Sequence, residues 1–274
     1  MIRKGTTHEV RIDQDSGIVV KHFRSWARSE PAREWTALTL LAQFAPGLAP
    51  APVCADLSGD PPTLTMSWLP GTELATAPVT SAQARALAAA LERLWQSVPS
   101  AGREFPPALP PNPVSFTGQV RKMTADGPVL GDDPVVARAY ATGVAWLDRG
   151  AAERHSSAGH RTVLGHGDPC LANFLWDADR VRLVDFEDAG PSDRAFELAI
   201  LAEHISAWSD VGLNAGEFLS LFGLTPAETA RVRDFRRLAA LFWLIMLRPG
   251  STSSTRNPPG TQQRQAHRLL QLLG

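Results

Sequence analysis

The stretch LGHGDPCLANFLWDADRVRLVDFED, which runs from Leu164 to Asp188, holds a histidine, several carboxylates and an asparagine between apolar runs. Three of these residues, Asp168, Asn173 and Asp185, are candidates for chemistry. Acidic side chains embedded in strands cost free energy unless they are paired or bind a metal. A polar turn beside a surface hairpin therefore explains them poorly. The three residues predict a site for a charged ligand.

The same stretch predicts a β-hairpin, because FLWD and VRLVDF flank a turn at residues 178–180. If the strands pair about residue 179, Asn173 lies opposite Asp185 to within one register step. An amide oxygen and a carboxylate on neighbouring strands suit Mg²⁺, which takes a few protein oxygens together with phosphate and water. Asp168 would lie on the loop that enters the hairpin and would reach the same phosphate.

This arrangement is typical of phosphoryl transfer from ATP (or GTP). In that chemistry an aspartate accepts the proton of the attacking hydroxyl, while an asparagine and a second aspartate hold the ions that bridge the phosphates. The reaction depends mainly on in-line positioning and charge neutralisation, so few side chains suffice. The sequence thus predicts a nucleotide and Mg²⁺ as cofactors.

HGDPCLAN followed by VDFEDAG resembles the aminoglycoside phosphotransferase and choline kinase group, small-molecule kinases with a protein-kinase-like fold. The resemblance covers this segment closely and the rest of the chain more loosely. It implies that Asp168 is the catalytic base, that Asn173 and Asp185 are magnesium ligands, and that the His166 ring bonds the loop backbone. The later GPSDRAFELA resembles the family segment in which an aspartate supports the active-site loop, which implies that role for Asp193.

A kinase also needs a strand lysine for the phosphates and a helix glutamate that holds it. Residues 8–23 predict a β-hairpin whose second strand carries Lys21. A helix follows, for which Ser29 is the expected N-cap. Glu34 lies on the inward face of this helix and is the predicted partner of Lys21. Glu30, nearer the helix start, is the alternative.

Two further N-terminal segments complete the predicted nucleotide site. GTTHEV would cover the phosphates, although Gly5 is its only glycine and almost no strand is expected before it. MSWLPG would form a hinge, with backbone groups of Ser67, Trp68 and Leu69 meeting the base. Pro70 and Gly71, the last two residues of this segment, break the strand.

The remaining pattern predicts the α+β class with two lobes, and the family resemblance implies that this is a protein-kinase-like bilobal fold. A small β-rich nucleotide-binding lobe with the hinge spans 1–71, and a larger, mainly helical catalytic and substrate-binding lobe with the inserted hairpin spans 72–274. Residues 103–114 are expected to be a loop and 249–263 to be mobile. The predicted helices of the second lobe are 81–98, 133–153, 195–208, 217–222, 225–248 and 264–273.

Composition excludes several classes of protein. A formal net charge of −1 and a pI near 6.7 give no attraction to nucleic acid or to anionic membranes. The longest apolar run, LAALFWLIML, is too short to span a bilayer. Two cysteines outside any C-x-x-C pair argue against a disulfide scaffold or cysteine zinc site. With no signal-peptide pattern at the start, we expect a cytoplasmic protein.

The predicted function is a kinase that phosphorylates a hydroxyl of a small molecule, such as an aminoglycoside or another antibiotic. Choline or another amino alcohol, a sugar, and a catalytically silent nucleotide-binding regulator are the alternatives. Glu187 and Asp188 would serve a second metal or a cationic substrate, or lie in a solvated turn. The sequence predicts neither the acceptor nor the oligomeric state, because acidic and basic residues mix in the second lobe: Glu197, Glu203, Asp210, Glu217, Arg231, Arg233, Arg236 and Arg237.

Overall fold

The computed structural model describes residues 2–4, 8–98, 105–106, 112–150, 162–209 and 212–274. The chain divides into two compact units. We call residues 1–109 with 161–194 the sheet unit, and residues 110–160 with 195–274 the helical unit. This division does not follow the predicted boundary at 71 and 72, because residues 72–109 and 161–194 belong to the same unit as the N-terminal strands. The predicted functional lobes remain a prediction.

A five-stranded antiparallel sheet forms the N-terminal part of the sheet unit. In sheet order its strands are β1 (Ile2–Lys4), β2 (His8–Asp13), β3 (Ile18–Phe23), β5 (Thr63–Ser67) and β4 (Pro52–Asp56).

The predicted hairpin at residues 8–23 is present, with Val10 opposite Lys21. Two strands correct the sequence expectation. β1 pairs with β2, although almost no strand was expected before Gly5. β4 was not predicted, because prolines surround it, yet an edge strand tolerates proline at its start.

Helix α1 (Glu30–Phe44) follows the hairpin and packs on β4 and β5. Pro31 lies in its first turn, where proline's fixed φ fits. Ser29 occupies the predicted N-cap position, and its carbonyl accepts the Arg33 N–H (3.0 Å). Its φ is 61°, however, and its side chain makes no capping hydrogen bond. The inward face of α1 carries Glu34, Ala37, Leu38 and Leu41.

The described residues in the rest of the sheet unit form one α-helix, two single-turn 3₁₀ helices (Leu74–Thr76 and Leu171–Asn173) and two small antiparallel sheets. Helix α2 packs against the hairpin strand β9. The elements are β6 (Thr72–Glu73), α2 (Ser81–Ser97), β7 (Thr162–Gly165), β8 (Phe174–Asp177), β9 (Arg180–Leu183) and β10 (Gly190–Asp193), with β6 beside β8 and β10 beside β7.

The β8–β9 hairpin differs from the predicted pairing by one residue. Phe174 lies opposite Leu183, and the turn is the two residues Ala178 and Asp179, with Ala178 at a φ of 57°. The Val184 N–H consequently bonds the Asn173 carbonyl (3.0 Å). Asp185 is one residue beyond the position opposite Asn173, within the allowed register step.

The described part of the helical unit contains helices only. They are α3 (Phe116–Ala125), α4 (Pro134–Asp148), α5 (Arg194–Glu203, whose first residue belongs to the sheet unit), α6 (Ile205–Trp208), α7 (Ala215–Ser220), α8 (Pro226–Met246), α9 (Thr252–Arg256) and α10 (Thr261–Leu273). None of the described helices is both long and apolar enough to cross a bilayer.

Two of these helices were missed in the sequence, and α10 was predicted too short. No helix was expected at α3, and 249–263 was expected to be mobile. That segment instead contains α9, capped where the Ser251 hydroxyl accepts the Ser254 N–H (3.0 Å), and the first turn of α10. Helix α10 packs on α4 and α8, which encloses the core of the helical unit.

Candidate active site

The loop between β7 and β8 holds the Asp168 carboxylate in a fixed orientation. Its Oδ1 accepts a hydrogen bond from the Cys170 N–H (3.1 Å), and its Oδ2 accepts one from Asn173 Nδ2 (2.9 Å). Because the amide nitrogen of Asn173 is bonded to Asp168, its amide oxygen is left for another ligand. The loop thus presents a positioned carboxylate and an amide oxygen side by side.

His166 ties this loop to the strand that leads to Asp185. Its Nδ1 accepts a hydrogen bond from the Asp168 N–H (3.4 Å), and its Nε2 donates one to the Val184 carbonyl (2.9 Å). The buried ring packs on the rings of Phe174 and Phe186 at centroid distances of 5.7 and 4.6 Å. The contact with the loop backbone that the family resemblance implied for His166 is present.

Gly167 lets the loop approach the segment after Asp185. Its φ is 84°, and a Cβ at this position would lie 2.1 Å from the carbonyl oxygen of Asp188. Any side chain would therefore clash with backbone, and an L-residue would also be strained at this φ. The HGD sequence needs its glycine for this close approach.

The predicted lysine–glutamate pair is formed. Lys21 Nζ lies 2.7 Å from Glu34 Oε2, and it also donates to Asp185 Oδ1. Asp185 has a φ of 68°, an uncommon value for a residue other than glycine that is found at functional sites. Glu30, the alternative partner, instead accepts hydrogen bonds from the backbone N–H (2.9 Å) and Nε (3.1 Å) of Arg28.

A third carboxylate completes the surroundings of Lys21. Glu187 Oε2 lies 2.9 Å from Lys21 Nζ and 3.1 Å from His8 Nδ1. Burial by itself lowers the pKa of Lys21, but Glu34, Asp185 and Glu187 outweigh it and raise the pKa above its usual value. Burial raises the pKa of Glu187, but bonds from His8 and Lys21 lower it to about 2. Burial also raises the pKa of Glu34, although the charge of Lys21 opposes this. The cluster thus contains three carboxyl groups around a single lysine, an excess of acidic over basic groups.

The alternatives for Glu187 and Asp188 are narrowed by their contacts. Both residues lie in a turn; Glu187 is buried in it, whereas the side chain of Asp188 is 31% exposed and its Oδ1 lies 3.0 Å from Arg28 Nη1. A second contact joins α1 to the segment after Asp185, because Arg33 Nη1 donates a hydrogen bond to the Ala189 carbonyl (2.9 Å). These bonds fix the start of α1, and with it Glu34, to the segment that follows Asp185.

A cavity of about 880 Å³ lies within the sheet unit. The side chains of Lys21, Glu34, Asn173 and Asp185 line it, together with apolar groups. Apolar walls with a few convergent polar groups are typical of ligand sites of this volume. The apolar lining consists of Val10, Ile12, Val19, Pro50, Met66, Leu69, Leu175 and Val184.

The predicted hinge also lines the cavity, but its three N–H groups are not equivalent. The Ser67 N–H donates to the Ala51 carbonyl (2.9 Å) and the Trp68 N–H to the Gly17 carbonyl (2.7 Å), so the sheet already uses both. No described residue accepts a hydrogen bond from the Leu69 N–H. Of the three, Leu69 is therefore the donor left for a base.

The residues present fit a magnesium ion. The Asn173 amide oxygen and the Asp185 carboxylate are hard oxygen ligands of the type that Mg²⁺ takes, and both residues line the cavity. The surplus negative charge around Lys21 is an independent reason for a cation here, because buried charge of one sign is costly without compensation.

Three further parts of the site remain to be placed: Asp193, the predicted phosphate-covering segment and His8. Asp193 is buried at the end of β10, where its backbone pairs with Thr162, and its support of the loop stays a prediction. Of the predicted phosphate-covering segment GTTHEV, residues 5–7 lie outside the described part of the chain, and residues 8–10 belong to β2. His8 was not singled out in the sequence. The available signal was its spacing of two residues from Val10, which puts both on one face of β2.

Comparison with known proteins gives one family and several solved structures. Residues 2–240 match the phosphotransferase enzyme family (APH). Among curated protein sequences, none matches this chain significantly.

Three similar structures illustrate the fold. A choline/ethanolamine kinase family protein from Mesorhizobium loti is 16% identical with a TM-score of 0.66, covering 100% of this chain and 88% of that one. The GDP complex of aminoglycoside 2'-phosphotransferase-IIIa is 17% identical with a TM-score of 0.63, covering 99% and 89%. A mutant of aminoglycoside phosphotransferase APH(4)-Ia, in complex with AMP-PNP and hygromycin B, is 14% identical with a TM-score of 0.66, covering 100% and 92%. At these identities the likeness establishes a protein-kinase-like fold.

Proposed function

Because the chain belongs to the phosphotransferase enzyme family, we propose that it transfers the γ-phosphate of ATP or GTP to a hydroxyl group of a small molecule. The observation that carries the proposal is the single cavity lined by Lys21, Asn173 and Asp185, with Asp168 bonded to Asn173. Similar structures hold GDP and AMP-PNP, which supports a purine nucleotide.

Asp168 is the proposed catalytic base. The Cys170 N–H and the Asn173 amide orient its carboxylate, so one geometry is maintained before the acceptor arrives. Such a carboxylate accepts the proton of the attacking hydroxyl. His166 acts through this loop, because its ring bonds both the Asp168 backbone and Val184.

Lys21, held by Glu34, is the proposed ligand of the nucleotide phosphates. Its ammonium group is buried yet charged, so it retains full electrostatic strength in a medium that screens poorly. Asn173 and Asp185 would hold Mg²⁺, which neutralises phosphate charge when bound. Leu69 offers its backbone N–H to the base, beside the apolar lining of the cavity.

The acceptor is proposed as a hydroxylated small molecule. Polycationic aminoglycosides favour acidic surroundings, but Glu197 and Glu203 of the helical unit are buried, and Glu203 is paired with arginines. Asp210 lies outside the described residues, and Glu217 is a single exposed acid. Among these four candidates the described residues form no acidic cluster, so we propose no preference for a polycationic acceptor, although one similar structure holds hygromycin B. The two free cysteines fit a reducing cytoplasm.

An ADP-release screen tests this function. The purified protein, with Mg²⁺ and ATP or GTP, is offered aminoglycosides, other hydroxylated antibiotics, amino alcohols and sugars. Asp168→Ala should lower kcat on the accepted compound by about 100-fold or more while nucleotide binding persists. Asp179→Asn is the matched control, because Asp179 is an exposed acid in the turn of the same hairpin.

Two outcomes would contradict the proposal. Normal turnover by Asp168→Ala would remove the assigned base. Nucleotide binding by the unaltered protein with no transfer to any compound of the panel would favour a regulator with the same fold.

A further inference from the structure

We propose that His8 and Glu187 form a second brace for Lys21, in addition to Glu34, and so position the lysine for the nucleotide phosphates. This inference rests on the proposed function. It assigns His8 and Glu187 as positioning residues, which act on the reaction through Lys21.

The strand register places His8 next to Lys21. His8 lies opposite Phe23 and Val10 opposite Lys21, so alternation along the strands puts all four side chains on one face of the sheet. His8 and Lys21 are diagonal neighbours across the two strands. Both approach the Phe23 ring: Lys21 Nζ lies 4.8 Å from its centroid and the His8 ring 6.4 Å.

Glu187 joins these two neighbours through one atom. Its Oε2 lies 2.9 Å from Lys21 Nζ and 3.1 Å from His8 Nδ1. The side chains of Glu187 and His8 are only 9% and 15% exposed, so neither bond competes with much water. A carboxylate oxygen held between two donors has little rotational freedom, and His8 therefore fixes the position from which Glu187 holds Lys21.

A second brace matters because Asp185 is a proposed magnesium ligand. When the Asp185 carboxylate binds a metal ion, it no longer holds Lys21 as firmly. Glu34 and Glu187 can still bond the lysine. These two belong to different elements, α1 and the segment after Asp185. Restraints from two elements fix the lysine nitrogen better than one, and phosphoryl transfer depends on such positioning.

A metal-binding role for the same residues is the competing explanation. Ligand atoms of His8, Asp185 and Glu187 lie within 4.8 Å of one another. However, His8 Nδ1 and Glu187 Oε2 already bond each other, and the Lys21 ammonium supplies the neighbouring cation. The contacts favour a brace, and the two roles differ in the Mg²⁺ requirement that they predict.

The test uses His8→Leu, His8→Asn, Glu187→Gln and the double variant His8→Leu/Glu187→Gln in the full chain. Asparagine is the rescue variant, because its Nδ2 can donate from about the place of the histidine Nδ1. The measurements are kcat and KM for the nucleotide, the Mg²⁺ concentration for half-maximal rate, and the Kd of AMP-PNP. The Kd measurement needs no acceptor.

His8→Leu and Glu187→Gln should each lower kcat/KM for the nucleotide about tenfold, as expected for loss of a charge-assisted hydrogen bond, and raise the Kd in parallel. His8→Asn should stay within about threefold of the unaltered protein. The double variant should be no worse than Glu187→Gln, because His8 acts through Glu187. The Mg²⁺ requirement should change less than about twofold.

His22→Leu is the matched control, a histidine on the opposite face of β3, and should behave like the unaltered protein. Normal nucleotide kinetics and affinity in His8→Leu would overturn the brace. A tenfold higher Mg²⁺ requirement in Glu187→Gln would assign Glu187 to the metal instead. If the unaltered protein binds nucleotide but transfers no phosphate, the proposed function fails while the Kd series still decides the brace. If the unaltered protein does not bind nucleotide, both the proposed function and the brace are overturned.

Discussion

Two buried ion clusters, one in each unit, have opposite arrangements of charge. In the sheet unit one cation, Lys21, lies among the carboxylates of Glu34, Asp185 and Glu187. In the helical unit one anion, Glu203, lies between Arg236 and Arg268, at 2.7 and 3.0 Å. Each cluster has surplus charge, negative in the first and positive in the second.

The two clusters differ in what can stabilise their surplus charge. Glu203 is fully buried, but the side chains of Arg236 and Arg268 are 20% and 25% exposed, so water stabilises the excess positive charge. Lys21 and Glu34 are almost fully buried. Asp185 is 23% exposed, about as much as the two arginines, but it lines the cavity. The surplus negative charge therefore faces a place for a ligand. A buried ion cluster whose surplus charge is stabilised by water indicates a structural role. A cluster whose surplus charge faces a cavity indicates a binding site.

The largest effect is expected from Lys21→Met, which removes the cation from the site cluster. Transfer should fall by about 100-fold or more, because the phosphates lose their buried positive partner. Nucleotide with Mg²⁺ should raise the Tm of the unaltered protein but not that of this variant. Lys122→Met, which alters an exposed lysine of α3, is the control. An unchanged kcat/KM in Lys21→Met would remove the contrast between the clusters.

Glu203→Gln should act on stability alone. Two arginines lose a buried charge partner, and the free energy of unfolding should fall by about 3 kcal/mol, as when one member of a buried ion pair is removed. Urea denaturation measures this, and kcat of the folded fraction should change less than about twofold. Glu217→Gln, at an exposed acid in the same unit, should stay within about 0.5 kcal/mol. A loss of activity without a loss of stability would contradict the structural role of the Glu203 cluster.

Gly167→Ala tests the backbone that supports the site cluster. The new Cβ would meet the Asp188 carbonyl, so the loop must move and Asp168 with it. We expect kcat to fall about tenfold and stability to fall by about 2 kcal/mol. Gly127→Ala is matched in φ (61°) but has no atom within 4 Å of the new Cβ, so it should cost stability only. Equal kcat values for the two variants would show that the close approach is unimportant.

The smallest effect is expected from Thr225→Ala at the start of α8, the helix that carries Arg236. The Thr225 hydroxyl and Glu228 form a capping box, and losing it should lower the free energy of unfolding by about 1 kcal/mol. Thr142→Ala, at an exposed position within α4, should have little effect. Calorimetry measures the stability of both variants. If Thr225→Ala lowers the free energy of unfolding by more than Glu203→Gln does, the expected order of effects is wrong.

The sequence identified residues that act through local patterns. The β2–β3 hairpin could be predicted because alternating apolar residues flank a polar turn. Residue type and spacing singled out Lys21, Glu34, Asn173 and Asp185, which all line one cavity, while their roles stay predictions. The β8–β9 register was off by one residue, because Ala178 adopts a positive φ in the turn and alanine gives no sign of that.

Contacts between distant segments could not be predicted. Glu187 meets His8 only because β2 and the segment after Asp185 come together in the fold, 179 residues apart in sequence. The Arg33 bond to the Ala189 carbonyl likewise needs coordinates. The short elements β4, α3 and α9 were missed because proline, serine and glycine in and around them obscure the periodicity on which prediction depends.

The discontinuity of the sheet unit has a consequence for synthesis on the ribosome. The Leu48 carbonyl accepts its hydrogen bond from the Leu183 N–H (2.9 Å), so the emerging N-terminal strands must wait for more than a hundred further residues before β9 joins them. During translation the Leu48 carbonyl therefore lacks this partner for several seconds at ordinary elongation rates of about 5–20 residues per second. Because the sheet unit includes residues 161–194, it can complete its folding only after β10 has left the exit tunnel.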